Sequence, residues 1–336
     1  MKRFLFAWLR AYAERHLALW AQGHLGHFGL GAETNWGTAV AVTDYMELLS
    51  ENLNTTIDRF GTRNIYAGFY EPDDSAGLRR SAGGIVMAGF PTPLGFALKS
   101  IFNNSSVSVV LSGFLWTNHF TGVKSEFADG VPRKPYTLEV HRDVTSSHQY
   151  AGAIANKLSL ALAPNQDLRV AVEWLAKSRL LIAKTTPTFP GSPAEPFTFD
   201  TASVQLAGAA TARVEALALN IDNQLEGIAA LNNSNEIARI RATNPQIIRI
   251  SGTLDFIDVA EQQDFINQTE RVLKLNVFKA QSFNLLIDVP RFVYTAAPVG
   301  MSGRGRLTVA FEGMARYLAS SLAAIGIQLT TTKSNY

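Results

Sequence analysis

Six histidines, two carboxylate pairs and one glycine–arginine run are the residues of this chain whose types and spacing could do chemistry. The histidines are His16, His24, His27, His119, His141 and His148. His24 and His27 stand three apart, a spacing that lets two imidazoles share a metal on one helix face. The glycines around them make no helix, however, and no carboxylate lies nearby in a metal-site pattern. They read as loop histidines. Asp73-Asp74 beside Pro72 reads as a turn, and Asp258, three residues after Asp255, reads as a helix cap. The run Gly303-Arg304-Gly305-Arg306 opens like a phosphate-binding loop. Such a loop must lead into a helix, whose free N–H groups take the phosphate. Here Leu307, Val309 and Phe311 alternate with Thr308, Ala310 and Glu312, the period of a strand.

Other chemistries are also missing. The chain has no cysteine, which excludes disulfides, thiolate metal sites and cysteine nucleophiles. No G-x-S-x-G nucleophile elbow is present. Arg79-Arg80 and Arg304/Arg306 lack the interleaved aromatics of a base-stacking surface. The expectation is therefore no enzyme: no catalytic residues, no cofactor-binding residues, no metal ligands and no cofactor.

The elements that would position any site are mostly strands. Tyr136, Leu138 and Val140 alternate with Thr137, Glu139 and His141. Leu168, Val170, Val172 and Trp174 alternate with Arg169, Ala171 and Glu173. The same period runs through 248–256 and 283–289, and each reads as an antiparallel strand with one wet face. Less regular strands are expected near 83–90, 107–112, 157–162, 197–206, 214–221 and 271–278. Two short helices are expected, one over 93–102 with proline in its first turn, the other from Asp258–Glu261 through Arg271. The fold class is all-β with a few short helices, a tandem β-barrel or β-sandwich.

A length of 336 residues allows two domains or one large β unit, and 47% hydrophobic with 17% charged residues suits a folded chain. A net charge of +2 predicts no strong attraction to nucleic acid or anionic membrane. In the first 22 residues the apolar run Phe4 to Leu9 is shorter than the roughly 7–15 residues of a secretory core. It is too broken for a membrane span, which needs about 20. That stretch reads as an amphipathic helical arm or as a start assigned too far upstream. The four prolines of 185–196 mark a linker. The expected organisation is an arm over 1–28, a first β-barrel over 29–184, the linker over 185–196, and a second β-barrel over 197–336. Residues 163–175 align without gaps on 243–255, matching Gln166 with Gln246 and Arg169 with Arg249. This predicts that the strand around Arg169 holds the place in one barrel that the strand around Arg249 holds in the other. Early strands near 48–58 are expected to cross over and complete the second barrel.

The order of segments carries a resemblance. GLGAETNWGTAV, SENLNTT and GGIVMAGFPTPLGFALKSIF are followed by PYTLEVHRD, YAGAIANKLSLAL, VEALALNIDNQLEG, IIRISGTLDF, FNLLIDVPRF and GRGRLTVAFEGMARY. Over residues 29 to about 320 the chain resembles the larger, two-barrel type of major tail tube protein from long non-contractile-tailed bacteriophages. The resemblance implies a structural virion protein, without catalytic residues, that forms rings stacked into the conduit for genome delivery. It implies self-association, as a trimer or hexamer per ring, and contacts with tail initiator or baseplate, tape measure and tail terminator proteins. Duplex DNA would touch it only in transit, no membrane would be involved, and assembly would occur in the host bacterial cytoplasm. Arg304 and Arg306 would then face solvent or a neighbouring subunit. Two other readings compete. An outer-membrane β-barrel needs strands of about 9–11 residues with aromatic girdles, which the strands here do not match. A carbohydrate-binding or adhesive β-sandwich would use Trp36, Trp116 and Trp174, but Trp174 falls on the apolar face of its strand.

Overall fold

Period-two alternation is realised throughout the second half of the chain and most of the first. The computed structural model describes residues 21–61, 74–102, 105–111, 115–122, 133–189, 195–279, 283–300, 305–320, 323–334 and 336. In chain order the first strands are β1 (His27–Ala32), β2 (Asp44–Met46), β3 (Ser50–Glu51), β4 (Asn54–Phe60) and β5 (Ser75–Ala88), followed by helix α1 (Pro91–Phe102). Then come β6 (Ser105–Leu111), β7 (Leu115–Thr121), β8 (Tyr136–His141), β9 (Ser146–Leu162), β10 (Arg169–Ala176) and β11 (Ser178–Ala183). After residue 195 follow β12 (Ala202–Leu206), β13 (Ala209–Thr211), β14 (Val214–Asp222), β15 (Leu225–Ile228), β16 (Arg239–Ala242) and β17 (Ile247–Asp255). Helix α2 (Ala260–Ile266), β18 (Arg271–Lys279), β19 (Phe283–Ala296), β20 (Thr308–Ala315) and β21 (Gly326–Thr331) complete the chain. Residues 1–20, the loop carrying Asp73, residues 190–194 of the linker and the Gly303-Arg304 pair lie outside the described residues.

All strand pairings are antiparallel. Eight strands form one continuous sheet in the order β4-β5-β10-β9-β14-β17-β20-β19. β9 belongs to two sheets at once. Its first part pairs with β8 and β11, its second with β10 and β14. Gly152 sits at the changeover with φ +66, and a Cβ there would lie 2.9 Å from Trp36 Nε1. Glycine is the residue that adopts this backbone without strain.

The strands of the second half repeat the pairing scheme of the first. β1–β2, β1–β8, β8–β9, β9–β11, β9–β10, β5–β10 and β4–β5 recur in chain order as β12–β13, β12–β18, β18–β19, β19–β21, β19–β20, β17–β20 and β14–β17. Even the irregularities coincide. Tyr136 and Leu138 face Ala153 and Tyr150 across a bulge, as Arg271 and Leu273 face Phe292 and Val289. Glu173 and Trp174 face Lys157 and Ala155, as Glu312 and Gly313 face Ala296 and Tyr294. Bulges re-aim strands at fixed positions, so two shared bulges fix the register of the repeat. In that register RVAVEWLA of β10 lies on TVAFEGMA of β20, with Val170/Val309, Ala171/Ala310, Glu173/Glu312 and Ala176/Ala315 identical.

This register corrects the expected equivalence of Arg169 and Arg249. β10 and β17 lie in the same sheet, separated by β9 and β14. β10 corresponds to β20, and β17 to β5. Strands of equal parity align on one another by default, which is what the gapless match recorded. The crossing strands also differ from expectation. Residues 50–60 stay with β5, because that hairpin closes locally. It is β6–β7, inserted after α1, that crosses over, with β7 pairing along β21.

Two further expectations change. β8 has no wet face: all six of its residues are buried, because β1 and the segment ending at Thr185 cover Thr137, Glu139 and His141. The second helix ends at Ile266, not Arg271, which already starts β18. Asp258 Oδ1 accepts from Ala260 N at 2.9 Å, but the Glu261 carboxylate turns to Arg213 at 2.9 Å rather than back to the cap. α1 forms as expected but is buried on nearly every side, since it lies against β9, β21 and β7. Trp174 is core, 2% exposed, edge-on to Tyr136.

Asn223 ties the repeated units together. It is fully buried, its Nδ2 donates to Ile101 O (3.1 Å) and Ala155 O (3.2 Å), and its Oδ1 accepts from Gln246 Nε2 (2.7 Å). One side chain thus closes the end of α1 onto β9 and β17. Asn223→Leu leaves these groups without partners in a dry site, and a loss of about 2–4 kcal/mol in urea unfolding is expected. A loss below about 0.5 kcal/mol would show that water replaces the amide.

Candidate functional site

The densest polar cluster is buried, not presented. Glu139, on β8, is 0% exposed, and His27 and His141 beside it are 5% and 2% exposed. Thr185 Oγ1 donates to Glu139 Oε2 at 2.7 Å, Tyr45 OH donates to Thr185 Oγ1 at 2.8 Å, and His27 Nε2 lies 3.4 Å from Glu139 Oε1. His141 stacks on His27 with ring centroids 4.9 Å apart, and its Nδ1 meets Ser147 Oγ at 3.1 Å. Serine, histidine and carboxylate are all here, yet not as a triad. A nucleophilic serine needs one imidazole between it and the carboxylate. Here the serine stands between: Ser147 meets both His141 and Glu139, Glu139 also meets His27, and His141 Nε2 has no hydrogen-bond partner among the described residues. A second buried carboxylate, Glu33, accepts from Thr137 Oγ1, Gly152 N and Gly37 N at 2.7–2.8 Å. That set fastens the loop after β1 to β8 and β9. Complete partner sets of this kind make buried carboxylates tolerable and are structural in effect.

The remaining residues singled out by type are scattered. His24 is exposed, His119 meets Ser108 Oγ at 3.1 Å on β7, and His148 accepts from Arg179 at 2.9 Å on β9. Among the described residues no group of three or more histidines and carboxylates could hold a metal. Asp74 pairs with Arg59 at 3.0 Å and Arg80 with Asp58 at 3.2 Å, both within the β4–β5 hairpin. Arg306 bridges Glu215 (2.5 Å) and Asp255 (3.2 Å) within the chain while its side chain stays 60% exposed to solvent. Trp36 donates Nε1 to Gly152 O at 3.0 Å and lies under Lys177. Trp36 is thus fastened and Trp174 is core, which leaves no row of open tryptophans on the sheet.

What the fold does present is the outer face of the eight-stranded sheet. Register places Ala82, Gly84, Val86 and Ala88 of β5 there, then Ala171 of β10, Ser159 and Ala161 of β9 and Ala218 and Asn220 of β14. Ser251 and Thr253 of β17 and Ala310 of β20 continue the same face. Its charges over β10 to β20 are Lys157, Arg169 and Arg249 against Glu173, Asp222, Asp255 and Glu312, one more acid than bases. Lys157 lies 3.3 Å from Glu173 and 4.0 Å from Asp222, and Arg169 lies 4.0 Å from Asp167. Shallow, open hollows run along this face, and none closes into a ligand pocket. Between those charges the face is lined by small residues, mainly alanine with some serine, threonine and glycine. Sequence inspection missed it, because the small residues of a sheet face come from strands far apart in the chain. The signal was there in the runs of alternating Ala, Ser and Gly.

Both ends of that sheet are open. Among the described residues no strand pairs with the outer edge of β4, nor with β19 beyond Phe292 on the side away from β20. Inside the chain the corresponding edges do meet: β9, the counterpart of β19, pairs with β14, the counterpart of β4, from Lys157↔Asp222 to Leu162↔Leu217.

A family model described as phage tail tube protein matches residues 23–315. No curated protein matches the chain significantly.

The buried cluster makes stability sensitive to acid. Burial lowers the His27 pKa against the hydrogen bond and charge of Glu139. Burial, then the charges of Lys184 and His27, lowers that of His141. Burial raises Glu139, but hydrogen bonds from Ser147, Thr185 and His27 outweigh it and leave the carboxyl below its usual range. Lowered imidazoles contribute stability that is complete above the unfolded value near 6.5 and lost as pH falls below it. Glu139 adds a loss below the carboxylate range. The thermal midpoint is expected to be flat from pH 8 to 7 and to fall toward pH 5, with His141→Gln flattening the fall. A midpoint that rises on acidification would contradict the neutral pair.

Proposed function

The chain belongs to the phage tail tube protein family and is a structural subunit of the virion tail tube; from that premise we propose that its eight-stranded sheet lines the bore and that rings close by joining the sheet's two open edges. The observation that carries this reading is the repeat. β9 on β14 is a junction of β19-type and β4-type edges, so β19 of one copy and β4 of the next present the same pair of edges to each other. A head-to-tail contact of this kind closes into a ring when its rotation divides the circle. It also removes both sheet edges, which otherwise invite aggregation.

Residues 29–184 and 197–336 each act as one β-barrel unit, with 185–196 as the linker between them and 1–28 as an arm. Ring size follows from width. Strands spaced about 4.8 Å apart and tilted about 40° give two chains a wall roughly 32 Å across, and three chains roughly 48 Å. Lining side chains take up about 10 Å, so two chains leave roughly 22 Å, too tight for a hydrated duplex about 20 Å wide. Three chains leave roughly 38 Å. Three is the smallest ring with clearance, and it contains six similar units. The lining suits passage: each phosphate neutralised by a base would release counterions and hold the DNA, and here acids outnumber bases on the face. The partners are further copies of the chain, then tail initiator, tape measure and terminator proteins, with assembly in the host bacterial cytoplasm.

Electron microscopy of the purified protein at high concentration, with its initiator if needed, is expected to show tubes of uniform diameter whose rings hold three chains. Rings of six full chains would overturn the stoichiometry, and a strictly monomeric protein would overturn the bore reading. Duplex DNA is expected to bind weakly at physiological salt, with a shallow salt slope. Tight binding with a steep slope would overturn this reading of the lining.

A further inference from the structure

Within the chain the junction between repeated units has a second layer, outside the sheet. α1 follows β5, packs on β9 of its own set of strands, and also lies against β21 and β7 of the second set. Beneath it the inward face of β21 is closed: Ile325, Ile327 and Leu329 are 1%, 0% and 0% exposed. β11 is the counterpart of β21, and the repeat register places Arg179, Leu181 and Ala183 where those three residues stand. There the face is open. Leu181 is 64% exposed and Leu180 beside it 59%. No helix of the described residues covers it.

The missing cover exists at the other end of the chain. α2 follows β17 as α1 follows β5, and it packs on β19 as α1 packs on β9. Three apolar side chains stand exposed at its two ends: Ile257 (68%) and Val259 (52%) just before the helix, and Ile266 (67%) as its last residue. If the unit after β17–β20 is the next copy, the strand that α2 meets is that copy's β11. The charges agree. β11 carries Arg179 and is flanked by Lys177 and Lys184 with no acid among 177–184, whereas 257–266 carries Asp258, Glu261 and Asp264 with no base. Glu261 and Asp264 are held by Arg213 and Arg271, which leaves Asp258 to face Arg179.

We infer that α2 of one copy docks on β11 of the next, with Ile257, Val259 and Ile266 covering Leu181 and the face it shares with Arg179 and Ala183. This rests on the ring reading above and adds an outer apolar seal to the inner strand-to-strand closure. Each contact removes apolar surface from water on both partners, so it favours assembly without altering the monomer.

The natural chain contains no cysteine, so engineered pairs report cleanly. Leu181→Cys and Ile266→Cys are combined in one chain, assembled, oxidised and run without reductant. Crosslinked multimers are expected from assembled rings only, and neither single variant should give more than dimers. Leu181→Asp is expected to raise the concentration needed for assembly at least tenfold while leaving the monomer's thermal midpoint unchanged, because the side chain is exposed in the monomer. Leu231→Asp, at a residue 110% exposed in the β15–β16 region, is the control and should assemble normally. Tubes that form in the double-cysteine protein without crosslinks, together with normal assembly of Leu181→Asp, would overturn the docking while leaving the tube reading intact. Failure of the wild-type chain to form any ring would instead overturn the tube reading itself, and the docking with it.

Discussion

Backbone edges are the constraint on which this structure depends. A strand saturates its hydrogen bonds only when both of its sides are paired, and an unpaired edge recruits whatever strand is near. β9 shows how the chain answers this. By turning at Gly152 it gives its first half to β8 and β11 and its second to β10 and β14, so one strand closes one unit and joins it to the next. β19 makes the same turn near Pro290 but finds only β20 beyond it. The fold is thus a repeating scheme with one joint made inside the chain and a matching half-joint left at each end.

Burial of charge serves that scheme. Glu33 and Glu139 sit in the interior because each replaces lost hydration with a full set of donors from segments that no sheet ladder connects: the loop after β1, the start of the linker, and the turn of β9. Satisfied polar groups of this kind select one arrangement among many, since any other leaves a carboxylate dry and unpaired. The stacked histidines must stay neutral to remain there. The same cluster that specifies the first unit therefore makes it acid-sensitive. No counterpart stands at the matching positions of the second unit, where β18 carries Val272, Lys274 and Asn276 in place of Thr137, Glu139 and His141.

The presented surface follows from the opposite economy. A wall past which a polyanion must slide needs short side chains, to keep the bore wide, and bases neutralised by neighbours, to avoid holding phosphate. The outer face of the eight-stranded sheet, the proposed bore, carries small residues between its charges and acids beside Lys157. Its opposite face is dry core, continuous from Phe28 and Trp174 to Phe311 and Leu329. The two faces come from the same strands by simple alternation.

Alternation was what the amino-acid sequence could fix unaided. It placed the strands around 169–176, 247–255, 283–289 and 308–315, put Trp174 inward, and ruled out a phosphate loop at Gly305-Arg306, because a period of two is a local property that needs no partner to be seen. The order of segments also carried the family. Register was not legible. Arg169 and Arg249 aligned on parity alone, whereas the true correspondence, RVAVEWLA with TVAFEGMA, rests on bulges opposite 156 and 295 that appear only when strands are paired. β8 read as half wet because its sequence alternates; only the tertiary structure covers Glu139 and His141. The crossing of β6–β7 to β21, and the exposed faces of β11 and α2, likewise depend on which strands meet across long loops. Periodicity says which way a side chain points along its own strand, and only the packed chain decides what stands opposite it.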